Sequence, residues 1–182
     1  MKNIILIVSI FCFAACKAQT IYNVGTPIEN ITESDYYIKD INNHYDDIVG
    51  TWLWEDGNSS FEITLQKFEM YSYPSSSTYY ADMIFGKYKY IEDGVLISEI
   101  VEILPYPNFK VAFNYKNSTK YVVIISDVVS ETNRIGEFIL TSPTTANLEL
   151  WINEGVKVNY GNGLDFSLPT SVTLTKVFAP TD

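Results

Sequence analysis

The sequence predicts an all-β protein, an antiparallel up-and-down β-barrel entered through one short N-terminal helix. Three observations carry that expectation. After Gly50 the chain runs through about nine or ten short apolar–polar alternations at 10-to-12-residue spacing, punctuated by turn signals and almost free of helical period. Its 15% aromatic content is mostly Tyr (14) and Phe (10), joined by many Thr, Val and Ile, residues that favour strands. Finally, 182 residues with 47% hydrophobic content are enough for one cored domain and too few for two. The strand pattern suits a barrel or a sandwich, and a chain of this length closes naturally as an antiparallel meander.

The first element is read as a leader. Lys2 gives a positive start, and "IILIVSIFCFAA" (4–15) is an apolar run too short to span a bilayer and right for a signal-peptide core. Ala14-Ala15-Cys16 then resembles a bacterial lipobox. That resemblance implies a signal peptide over 1–16, lipidation of Cys16, and an exported protein anchored in the cell envelope. Phe13 stands where Leu is usual, and cleavage after Ala18 is the alternative. With Lys17 rather than Asp behind the cysteine, known sorting rules imply the outer membrane. Cys12 and Cys16 are the sole cysteines, so the mature domain is expected to hold no disulfide and no free thiol.

Residues 17–33, polar with a Gly and a Pro, read as a flexible tether. A single domain is expected over 34–182. It begins with a helix at about 34–47: Ser34 is a plausible N-cap, and Ile38, Ile41, Tyr45 and Ile48 recur at spacings of 3, 4 and 3 before Gly50 stops it. "TWLWEDGNSSFEITL" then reads as strand, turn, strand, with Phe61, Ile63 and Leu65 on one face. The phase slips at Lys67, the mark of a bulge. "TYYADMIFGKYKYI" is the next strand, Gly86 its kink, and "EDG" (92–94) a hairpin turn into "VLISEIVEIL". Phe109, Val111 and Phe113 alternate with polar neighbours. "KYVVIISDVV", "RIGEFILT", "ANLELWIN" and "SVTLTKVF" complete the strands, with "NEG" (153–155) and "GNG" (161–163) as turns.

A short helix, then Gly50-Thr51-Trp52, then an up-and-down run of strands resembles the lipocalin and fatty-acid-binding (calycin) barrels. The resemblance implies that Trp52 plugs the closed barrel end, packed on the helix near Ile41 and Tyr45, with Lys176 of the last strand over its ring as a cation on an indole face. First and last strands are neighbours in any closed barrel, which gives the pairing a physical basis. More of the chain, through "CKAQ", "YYIKDINNHYDDIVGTW", "GKYKYIEDGV" and "LELWIN…FSLPTSVTLTKV", resembles a domain-of-unknown-function family of small exported flavobacterial proteins. That likeness implies fold and export, and no activity.

Chemistry is sparse. His44 is the only histidine and has no serine or cysteine motif to activate. The motifs for zinc, phosphate loops and dinucleotides are missing from the sequence, so no catalytic residue, metal or cofactor is expected. Asp46-Asp47 and Glu92-Asp93 read as solvated turn charges. A net charge of −10 repels phosphate backbones and sets nucleic acid aside. The function expected is non-catalytic: a barrel binding a small apolar ligand or partner segment, its walls Phe61, Ile63, Leu65, Phe109, Val111 and Phe113. The alternative is an acidic inhibitor or immunity-type protein that meets a basic partner with its outer surface.

Overall fold

The computed structural model describes residues 19–72, 79–103, 108–114, 116–152 and 164–177. The leader with Cys16 and the turns at 153–155 and 161–163 lie outside them.

Eight antiparallel strands close into a barrel. These are β3 (Gly50–Asp56), β4 (Ser59–Tyr71), β5 (Tyr79–Glu92), β7 (Phe109–Phe113), β8 (Lys120–Asp127), β9 (Thr132–Ser142), β10 (Thr145–Trp151) and β11 (Ser171–Val177). Each pairs with its neighbour in the chain, except that β5 passes over a short hairpin strand, β6 (Val95–Glu99), to reach β7. Closure is made by β11 on β3, with Lys176 opposite Trp52. A closed barrel leaves no sheet edge to pair with strangers.

Besides β6, two further strands among the described residues lie outside the barrel. β1 (Thr20–Asn23) pairs in parallel with β2 (Tyr36–Lys39), and β2 pairs in parallel with the start of β5. The second edge of β5 is therefore shared in succession by β2 at 79–81, β7 at 84–86 and β6 at 89–92.

These N-terminal strands correct two expectations. No helix forms at 34–47: residues 36–39 are β2, and 41–48 are turns. Asn43 sits at φ 56°, a conformation helices do not admit. The carboxylate of Asp40 accepts from the backbone N–H of His44 (2.9 Å) and Tyr45 (3.0 Å), giving those donors a local partner outside a helix. Of the tether expected over 17–33, the described part, 19–33, is built into the fold. Gln19 Nε2 donates to Asp35 (3.2 Å), β1 starts at Thr20, and a 3₁₀ turn spans Ile28–Asn30. β1 and β2 depend on pairing with residues distant in the chain, which local periodicity does not reveal.

The strand alternation places the core as expected. Phe61, Ile63, Leu65, Phe109 and Val111 are at most 1% exposed and join Ile84, Val123, Ile125, Phe138, Leu148 and Leu174 in one cluster. The bulge in β4 comes later than Lys67: register shifts between Phe68 and Tyr71, where Met70 has φ 50°.

Candidate functional site

Three places were singled out by the sequence or stand out in the structure: the barrel interior, the Trp52 end, and a cleft where β2 and β7 diverge from β5.

In the interior, Phe61 meets the rings of Tyr88 (6.0 Å) and Tyr90 (5.9 Å), and Trp52 stands edge-on to Phe138 (5.0 Å). Gly86 shows how full the space is. A Cβ there would lie 2.8 Å from Leu65 Cδ2 and 3.0 Å from Phe109 Cδ1, so both side chains fold over the glycine. Of the six residues assigned to a ligand-facing wall, five are buried members of the core cluster. Phe113 is different: it is half-buried, stacks on His44 (4.1 Å), and lines the cleft beside β7.

The Trp52 end is built as the Gly-x-Trp reading implies, with a different cap. Trp52 is fully buried, and its Nε1–H donates to the carbonyl of Ile48 (2.8 Å) in the turn segment. Tyr45 belongs to the same buried cluster, whereas Ile41 is exposed, because no helix turns it inward. Lys176 Nζ lies 5.2 Å from the Trp52 ring and donates to the carbonyl of Asp47 (2.9 Å). Gly50 makes room for it: φ is +125°, and a Cβ would press on Lys176 Cε at 3.2 Å. Burial lowers the Lys176 pKa, while the Asp47 charge acts the other way. Asp46, Asp47, Thr119, Leu140, Thr141 and Lys176 border an open cleft of about 500 Å³ on this end.

The second cleft, about 330 Å³, lies between the diverging strands and is mainly apolar, with Val24, Ile38, Tyr45, Ala112 and Phe113 on its walls. Asp82, the acid among its described lining residues, is already engaged. The carboxylate accepts from Tyr37 Oη (2.5 Å) and from the N–H of Asp40 (2.9 Å) and Met70 (3.2 Å). Asp40 in turn accepts from Lys67 Nζ (3.2 Å), which also faces Asp46 at 3.5 Å. Burial would lower the Lys67 pKa, but the Asp40 hydrogen bond and the surrounding carboxylates raise it. Burial and the Asp82 contact push the Tyr37 hydroxyl well above its usual range. The network fastens β2 and its turn to the barrel. Sequence reasoning missed it, since Asp40, Lys67 and Asp82 are far apart in the chain.

At the opposite end Asp127, fully buried, holds a second network. It accepts from Ser98 Oγ (3.2 Å), Ser130 Oγ (2.7 Å), and both the N–H (2.7 Å) and Oγ (2.9 Å) of Ser167. Burial would raise its pKa, yet these donors hold it below the ordinary value. Chemically this is a saturated acceptor. Among the described residues no group of three His, Cys, Asp or Glu is placed to hold a metal ion.

Near Asp127, at the same end of the barrel, two hairpin tips are joined: Gly94 N–H donates to the carbonyl of Asn58 (2.9 Å), and Asp93 N–H to Ser59 Oγ (3.0 Å). The joint gathers Glu55, Asp56, Glu92 and Asp93 into one exposed rim beside Val95 and Leu96. None of the ion pairs among the described residues engages these four carboxylates.

Fold and ends together define a small closed antiparallel barrel with a densely packed interior and an acidic rim. The chain belongs to a family of unknown function (DUF6705), which it matches over residues 1–177. No curated protein and no solved structure matches it.

Proposed function

We propose that this is a non-catalytic, exported lipoprotein of the cell envelope that binds a basic protein partner with its outer surface, at the acidic rim. The observation that carries the reading is the packing of Phe61, Ile63, Leu65, Phe109 and Val111, which occupy the space an apolar ligand would need. The joined tips supply what a partner surface needs instead: carboxylates with no ion pair among the described residues, next to the exposed Val95 and Leu96. The net charge of −10 steers a basic partner towards the molecule. Export and lipidation at Cys16 rest on Ala14-Ala15-Cys16 and the apolar run before it. A calycin kinship rests on Gly50, Trp52 and Lys176, which meet at the barrel end.

The test is native mass spectrometry of the protein purified from its own envelope, beside a variant carrying Glu55→Gln, Asp56→Asn, Glu92→Gln and Asp93→Asn. A protein should accompany the wild type and be lost from the variant. Copurification of a fatty acid or other apolar molecule, with no protein, would return the function to a binding cavity. A partner that survives neutralisation of the rim would place the contact elsewhere.

A further inference from the structure

The N-terminal strands limit how far the barrel can stand from a membrane that holds its anchor. Lys17, Ala18 and Gln19 are the sole residues between Cys16 and β1. Fully extended, the steps from Cys16 to Thr20 reach roughly 14 Å. Gln19 is already tied to Asp35, so there is no long stalk. Whatever surrounds β1 must lie near the bilayer surface.

That surroundings is apolar and aromatic. Ile28 is 84% exposed, the most exposed large apolar side chain among the described residues, while Ile21 and Ile41 are 54% and 55% exposed. Two hydrogen bonds place them around β1. Thr32 N–H donates to Tyr22 Oη (3.3 Å), folding the 3₁₀ turn back along the strand, and Ile41 N–H donates to Asn23 Oδ1 (3.2 Å). Tyr22, Tyr36 and Tyr79 form a ladder across β1, β2 and β5, with ring separations of 5.9 and 5.2 Å. Tyrosine favours the level of lipid headgroups, where its ring is shielded and its hydroxyl stays wet. The outer edge of β1 has no strand partner among the described residues, and its backbone groups can be solvated at that level, though not in hydrocarbon.

We propose that the β1 edge, with Ile21, Ile28 and Ile41, is a membrane-contact surface that seats the barrel on phospholipid headgroups. The proposal rests on the lipid anchor at Cys16 given above. Glu29, Glu33 and Asp35 share this segment with Lys39 and Lys17, so the surface suits zwitterionic rather than anionic lipid. Seating it there sends the acidic rim outward. The rim lies at the far end of β5 from Tyr79, roughly 40 Å away at about 3.3 Å per residue.

The full chain, purified with its lipid, would be reconstituted into vesicles of phosphatidylcholine and phosphatidylethanolamine containing nitroxide-labelled lipid. One fluorophore is attached through Ile28→Cys, or through Val95→Cys as the distant control; both side chains are exposed, so neither change threatens the fold. Quenching several-fold stronger at position 28 than at 95 is expected, and adding Ile21→Asp and Ile41→Asp should reduce it at position 28. Equal quenching at both positions, on protein whose mass includes the lipid, overturns the seating alone. A purified chain lacking that added mass overturns the anchor and the seating with it.

Discussion

Trp52→Ala is the most searching test of the barrel end. The indole is fully buried, stands 5.0 Å from the Phe138 ring, lies beneath Lys176, and satisfies the buried carbonyl of Ile48. Truncation removes the whole ring from a core with no disulfide to hold it, a loss of about 3–5 kcal/mol. Orphaning the Ile48 carbonyl adds about 1 kcal/mol or more. At about 2–4 °C per kcal/mol for a domain of this size, the melting temperature should fall by roughly 8–24 °C. Trp52→Phe separates the two contributions: it keeps most of the packing and gives up the Nε1–H donor, so its loss should be nearer 1–3 kcal/mol. Urea titrations followed by far-ultraviolet dichroism, on the wild type and both variants, read these differences as midpoint shifts at constant slope. An alanine variant that unfolds at the wild-type midpoint would refute the plug. Equal losses for Ala and Phe would assign the effect to the hydrogen bond alone.

Gly136→Ala should be worse than Gly86→Ala. A Cβ at 136 would meet the Glu149 backbone oxygen at 2.0 Å, so β9 and β10 must part, whereas at 86 the side chains of Leu65 and Phe109 can shift at a cost of about 1–3 kcal/mol; thermal melts should rank them in that order. The Asp127 pKa is held low in the folded state, so its contribution is present above the unfolded value and is lost as pH falls through the folded one. Acid titration of stability should therefore be shallower in Asp127→Asn, and an unchanged slope would refute the assignment. Lys67 has a raised folded pKa, so its contribution holds below the ordinary lysine value and fades as pH climbs through the folded one. A Lys67→Met variant should lose that alkaline limb. Fatty acids added to the wild type should leave its melting curve in place; a concentration-dependent rise would contradict a filled interior.

Where a residue's role depends on its near neighbours in the chain, the sequence was readable. Alternation placed Phe61, Ile63, Leu65, Phe109 and Val111 inward because a pleated strand allows little else. The "EDG" turn forms with both Asp93 and Gly94 at positive φ, the backbone a tight hairpin requires. Trp52 and Lys176 met because closure makes the first and last barrel strands neighbours. Phe113 misled for the same reason in reverse: its parity is inward, but β7 has diverged from β5 by that point, and the side chain turns to the cleft. The segment 34–48 misled more deeply. Its apolar spacing suits a helix, yet Ile38 belongs to a strand whose partners are Tyr22 and Ala81, and the Asp40 carboxylate takes the donors of the following turn. The Asp40–Lys67–Asp82 network and most of the Asp127 cluster leave no local pattern, because Lys67 and Asp82 reach Asp40, and Ser98 and Ser167 reach Asp127, from far along the chain.

The parallel pairing of β2 with β5 also fixes an order of events. During synthesis residues 20–39 precede their partner edge, which appears only when Tyr79–Ala81 arrives. A hairpin such as β3–β4 can zip within microseconds of its turn forming, but β2 must wait for a contact across a long loop, whose closure entropy slows it. Until then Ile38, Tyr37 and the Asp40 carboxylate stay in solvent, and the segment behaves as an unpaired strand. The β2 segment thus pairs later than the β3–β4 hairpin, and a chaperone that handles the nascent protein would find an exposed apolar strand there.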